Sequence, residues 1–123
     1  HPFGLIQKKI MMNFGGIPVW RTKSTGVTQQ VIDELKTKDK FILYLTVEGL
    51  MHTNKTIKSG FYYIGKELEA TIVPTKIDYK NRRFELMNEY KLTDSLEIDK
   101  NALMDIYHLV QGRNKIFLKP GKD

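Results

Sequence analysis

The stretch from Phe41 to Asp78 constrains this chain most, because its hydrophobic pattern changes type within a short distance. Phe41–Val47 is a continuous apolar run that stops abruptly at Glu48-Gly49. A polar loop holding Met51, His52, Asn54 and Lys55 follows. From Lys58-Ser59-Gly60 onward, Phe61, Ile64 and Leu68 fall at helical spacing. Thr71–Tyr79 is apolar again and is interrupted by Pro74. The economical reading is strand, loop, helix, strand. Ligands of open α/β sheets bind beyond the carboxyl ends of strands. Glu48 and Gly49 occupy such an end, so a site in this chain is expected to include them.

The flanking segments extend this α/β pattern. Phe3–Phe14 places apolar residues at 3, 6, 10 and 14 with Lys8-Lys9 between them, which predicts an amphipathic helix. Its apolar face suits a protein core in most helices of this kind, or a membrane surface where basic residues flank it. Gly15-Gly16 is expected to end it through a left-handed cap. Ile17–Arg21 reads as a short strand, and Val27–Lys38 as a helix capped by Ser24. Phe41–Val47 is expected to be buried on both faces. Ser59 is a candidate cap for a helix over Gly60–Glu69. Pro74 makes Thr71–Tyr79 an irregular or edge strand, and Asn81 marks a turn to an antiparallel Arg83–Tyr90. Asp99 or Asn101 starts a last helix through Leu103, Ile106, Tyr107 and Val110, closed by Gly112. The expected sheet is central, mostly parallel or mixed, and flanked by helices. One domain spans residues 1–112, and a basic irregular tail spans 113–123.

Composition narrows the chemistry. The 123 residues contain no cysteine and three histidines that form no spaced pair, which argues against thiolate chemistry and a zinc site. No apolar run is long enough to span a bilayer. Absence of cysteine fits an intracellular, reducing compartment. The net charge of +6 is uneven: residues 1–61 carry nine Lys/Arg against four Asp/Glu, and residues 62–123 carry eleven against ten. A field of this sign favours phosphates, anionic lipid or nucleic acid, although a basic surface this modest more often has no partner.

Four blocks, and a shorter fifth, resemble a known family. Gly15-Gly16-Ile17-Pro18-Val19-Trp20-Arg21 is similar to the "GGIPVDR" block of the glycerolipid acyltransferases, the 1-acylglycerol-3-phosphate O-acyltransferase family. Val47-Glu48-Gly49-Leu50-Met51 falls where that family has "PEGTR", and Lys58-Ser59-Gly60-Phe61-Tyr62-Tyr63-Ile64 resembles its "KxGFYYIA" helix. Ile72-Val73-Pro74 resembles "IVPV", and Pro2-Phe3-Gly4 resembles the "PFG" before the second block. One block alone is weak; four in order are specific. The resemblance implies an α/β fold and acyl transfer from acyl-CoA or an acyl carrier protein to a glycerophosphate hydroxyl, with no resident cofactor. It also implies membrane association.

The departures from the family pattern are informative. The family's catalytic His and Asp stand a few residues apart, upstream of all these blocks, with the His as general base. None of His1, His52 or His108 has an Asp at that step, so the family reading expects a longer N-terminal region or a catalytically impaired pseudoenzyme. The family's phosphate-binding Arg is replaced by Met51, which cannot form a guanidinium fork. Leu50 replaces its Thr, Val47 its Pro, and Trp20 the acid before Arg21. Arg21, Glu48, Gly49 and Lys58 remain as candidate phosphate or substrate ligands, each with a bland alternative as a surface or capping residue. His52 is a weak candidate base, more ordinary as an exposed loop histidine. Three functions compete: an acyltransferase-like domain with a degenerate phosphate motif, a non-catalytic structural subunit of a larger mitochondrial or membrane-associated assembly, and a basic nucleic-acid-contacting component. The last lacks a stacking platform of interleaved aromatic and basic residues. A helix or an exposed edge at Phe41–Val47 would count against the family reading.

Overall fold

The computed structural model describes residues 2–19, 26–47, 57–108 and 110. Among these, four helices and one two-stranded antiparallel sheet make a small mixed α/β architecture. The chain divides into two units, residues 1–42 and 43–123.

In the first unit, helix α1 spans Pro2–Asn13. It stops where expected. Gly15 adopts φ 85°, its N–H donates to the Met12 carbonyl at 3.1 Å, and the Gly16 N–H donates to Met11 at 2.8 Å. This paired closure satisfies carbonyls that the helix itself leaves open. Helix α2, Val27–Leu35, buries Val31, Ile32 and Leu35. Its N-cap is Gly26, which offers no side-chain acceptor; the expected cap Ser24 lies outside the described residues. The helix is shorter than the expected Val27–Lys38, because Thr37 turns back on the Glu34 carbonyl through both N–H and hydroxyl. The expected strand at Ile17–Arg21 is not formed over its described part, Ile17–Val19. Pro18 has no N–H to give a ladder.

The larger correction concerns the apolar run. Phe41–Thr46 forms no strand, and Ile42 is 99% exposed. A strand needs a neighbour to take its N–H and C=O groups, and no described backbone group pairs with these six residues. The central sheet expected to contain this run is therefore not formed among the described residues. The exposed run counts against the family's buried inner strand.

In the second unit, helix α3 spans Gly60–Glu67 and helix α4 spans Leu96–Tyr107. Ile57 before α3, Phe61 on it and Leu103 on α4 form the buried core, with Val47, Tyr62, Leu92 and Met104 packed around them. The close approach to α3 requires Gly65: a Cβ there would lie 2.5 Å from Leu92 Cδ1 and 3.2 Å from Ile72 Cδ1. Strand β1, Thr75–Asp78, begins only after Pro74, as the proline dictates, and pairs antiparallel with β2, Arg83–Leu86. A further bridge joins Ile72 to Tyr90. The turn between the strands is tied by the Asp78 carboxylate, which accepts from the Lys80 and Asn81 N–H groups and from Asn81 Nδ2. These bonds, the Asn81 side chain foremost, hold Asp78 below the usual carboxylate range. The apolar residues of β2 are not buried: Phe84 and Leu86 are both exposed.

Helix α4 starts earlier than Asp99 or Asn101. Ser95 is its N-cap, accepting from the Ile98 N–H at 3.4 Å. Tyr107 near its end accepts from the Thr75 N–H at 3.0 Å, which docks α4 to the first residue of β1. Burial pushes the Tyr107 hydroxyl up.

Candidate functional site

The loop that carries most of the sequence-derived site residues is closed at its base. The Lys58 N–H donates to the Val47 carbonyl at 2.8 Å. Val47 packs on the core, and Ile57, next to Lys58, is 1% exposed. Packing on one core and one backbone bond thus bring Val47 and the Ile57-Lys58 pair together. The Lys58 side chain is exposed beside the N-terminal turn of α3. Ser59 makes no side-chain capping bond; its backbone is already helical, which removes the geometry a cap needs. The expected capping role of Ser59 is therefore wrong. Tyr62 and Tyr63 meet edge to face at 5.5 Å, a packing contact on α3.

Of the sequence-derived residues, the structure places Lys58 and Val47 together. Trp20, Arg21, Glu48, Gly49, Leu50, Met51 and His52 lie outside the described residues. Among the described residues no group of three His, Asp or Glu side chains could hold a metal. No described helix is long and apolar enough to cross a membrane. His108 points its Nδ1 at the Met104 and Asp105 carbonyls, at 3.2 and 3.0 Å. Carbonyls only accept, so Nδ1 carries the proton, and the ring caps the end of α4 rather than forming a catalytic pair.

A polar cluster that sequence reasoning missed sits between the Ile72–Tyr90 bridge and α4. Asp99 is fully buried. Its carboxylate accepts from the Tyr90 hydroxyl at 2.7 Å and from the Thr93 N–H at 2.9 and 3.1 Å. Nearby, Lys66 on α3 pairs with Asp94 at 2.7 Å, which raises the ammonium and lowers the carboxyl. The residues Thr93-Asp94-Ser95 signal a helix start, but nothing in the sequence says that Asp99 reaches back to them. With both Asp99 oxygens occupied by donors from its own chain, this cluster fixes structure rather than offering a base.

Burial, with the hydrogen bond to Asp99 second, pushes the Tyr90 hydroxyl up to about 12 from 10.0. An unfolded tyrosine ionises near the lower value, so between pH 10 and 12 the folded state holds the proton that the unfolded state has lost. Stability from this group is complete below pH 10 and is lost as pH rises through 12. Urea unfolding of wild type and Tyr90→Phe across that window should show a smaller alkaline loss in the variant. Equal losses would assign the tyrosine an ordinary environment.

An open groove of about 460 Å³ lies between the hairpin and the end of α4, lined by Lys76, Asp78, Arg83, Glu85, Asp105 and Ile106. Its charges are mixed, Lys76 facing Glu85 at 4.0 Å. None of the sequence-derived site residues lines it. Comparison with protein-family models, with characterised proteins and with solved structures gives no match to this chain.

Proposed function

We propose that this chain is an acyltransferase-like domain of the glycerolipid acyltransferase type whose phosphate-binding motif has degenerated, so that it is a pseudoenzyme. The observation that carries the reading is the closed loop base. The Val47–Lys58 bond makes neighbours of the two blocks that resemble the family's phosphate loop and following helix. An acceptor phosphate would then meet Lys58 and the first turn of α3, and the family pattern gives residue 51 the bidentate contact to it. With Met51 in that place the bidentate contact is gone. Such a charge-assisted contact is worth on the order of 1.5–3 kcal/mol, or roughly one to two decades of affinity.

Calorimetry with lysophosphatidate tests this. Wild type should bind weakly or not at all, and Met51→Arg should gain roughly one to two decades. Tight binding by wild type would sink the degenerate-site reading. No gain in Met51→Arg would mean that the loop does not hold a phosphate.

The non-catalytic structural subunit is favoured by a separate observation. Phe41–Thr46 exposes apolar side chains and leaves its backbone without a described partner. Such a segment is suited to pairing with a strand of another component in an assembly. The same exposed run weighs against the first reading, whose fold would bury it as an inner strand.

A further inference from the structure

We propose that two copies of this chain associate through the outer face of the β1–β2 hairpin, packed so that the turn of each lies over the open end of the other. The inference concerns the hairpin alone and stands whether or not the acyltransferase reading does. The register sets Ile77 opposite Phe84 and Thr75 opposite Leu86. Side chains alternate along a strand, so these four share one face, which Tyr79 continues towards the turn and Val73 towards the open end. Lys76, Asp78, Arg83 and Glu85 occupy the other face and line the groove against α4. The hairpin therefore turns its charged side to its own chain and its apolar side to solvent, the reverse of what a half-buried sheet does. Val73, Ile77, Tyr79, Phe84 and Leu86 are between 45% and 67% exposed. Together they make a patch of roughly 500 Å², within the range where exposed apolar surface often has a function.

Area and charge both point to a second copy. A lone two-stranded hairpin is marginal, whereas two of them face to face enclose a core between two layers. Joining two such patches buries roughly 1,000 Å², the lower bound for a specific interface. The two ends of the outer face also differ in charge. Lys80 and Arg82 lie in the turn. Glu89 lies at the open end: Tyr90 reaches inward to Asp99, so its neighbour Glu89 stands on the outer side, where it is exposed. A two-fold axis across the strands sets the turn of one copy over Glu89 of the other, twice in each dimer. An axis along the strands would set turn on turn and bring like charges together.

Sedimentation equilibrium of the whole chain decides it. Association through an interface this small is weak, so the mass should rise from one chain towards two with a midpoint on the order of 10–100 µM. Below about 1 µM the chain is a single copy, and unfolding measured there does not register the outer face. Leu86→Lys should hold the mass at one chain up to about 300 µM, because association would bury an unpaired charge. Leu86 is exposed in a single copy, so circular dichroism should be unchanged. Lys80→Glu and Glu89→Lys should each raise the dissociation constant about fivefold or more, since each reversal spoils both symmetry-related contacts. The two together should return it to within about twofold of wild type. Association untouched by Leu86→Lys, or no recovery in the double reversal, would overturn the proposal. A one-chain mass at every concentration would overturn it too and leave the face to an occupant of another kind.

Discussion

Leu103→Ala is expected to lower the unfolding free energy by about 3 kcal/mol, within the usual span for a leucine emptied from a core. Leu103 is 2% exposed and shares its cluster with Ile57 and Phe61, which come from a different part of the chain. A core this small has few neighbours that can collapse into the space, so the cavity adds to the lost transfer energy. Small domains are stable by only 5–15 kcal/mol, roughly, so the loss is a large share of the whole. It also reaches the proposed site. Val47 packs on the same cluster, and the bond between Val47 and Lys58 depends on that packing. Amide exchange at Lys58 should therefore speed up in the variant even where the protein stays folded. Phe84→Ala is the control, because Phe84 is 64% exposed and its removal should change stability by less than about 0.5 kcal/mol. Urea midpoints of the two variants check both expectations. Equal midpoints would mean that Leu103 is not a core residue.

What the sequence disclosed was local. Gly15-Gly16 announced the end of α1 because only a residue tolerant of positive φ fits that closure. Phe61 and Ile64 are buried on α3 as their spacing required, and Pro74 and Asn81 bounded β1 and its turn. What it did not disclose depended on partners. Phe41–Thr46 has the composition of an inner strand, but composition does not supply the neighbouring backbone that makes one. The start of α4 was ambiguous because Thr93, Asp94, Ser95, Asp99 and Asn101 are all cap formers. Only the position of the first helical turn singles out Ser95. The candidate site was legible as a motif and not as a geometry. Lys58 is described and bonded to Val47, while the other residues of the proposed phosphate site, Arg21, Glu48, Gly49 and Met51, lie outside the described residues.

Asp99→Ala is expected to cost about 3 kcal/mol, as much as the core leucine, although it removes a charge from the interior. Two effects oppose each other. Deleting the carboxylate removes the cost of burying it, which favours the variant. It also strands the Thr93 N–H and the Tyr90 hydroxyl, each worth about 1–3 kcal/mol when left without an acceptor. The second effect should win, because Asp99 is fully buried and alanine leaves no oxygen in its place. Tyr90 is only half-buried, so its hydroxyl can turn towards water and recover part of the loss. The Thr93 N–H is fixed by the chain just ahead of α4 and has less freedom to find a new acceptor. Asp99→Asn retains one carbonyl oxygen for that N–H and should cost less than alanine. Tyr90→Phe should cost about 1 kcal/mol, and in an Asp99→Ala background much less, since its partner is already gone. Unfolding free energies of the two singles and the double give the coupling directly. Strict additivity would show that the tyrosine and the aspartate do not act through the bond between them. A cost below about 1 kcal/mol for Asp99→Ala would show that the stranded donors are readily hydrated and that this cluster does not hold the Ile72–Tyr90 bridge to the start of α4.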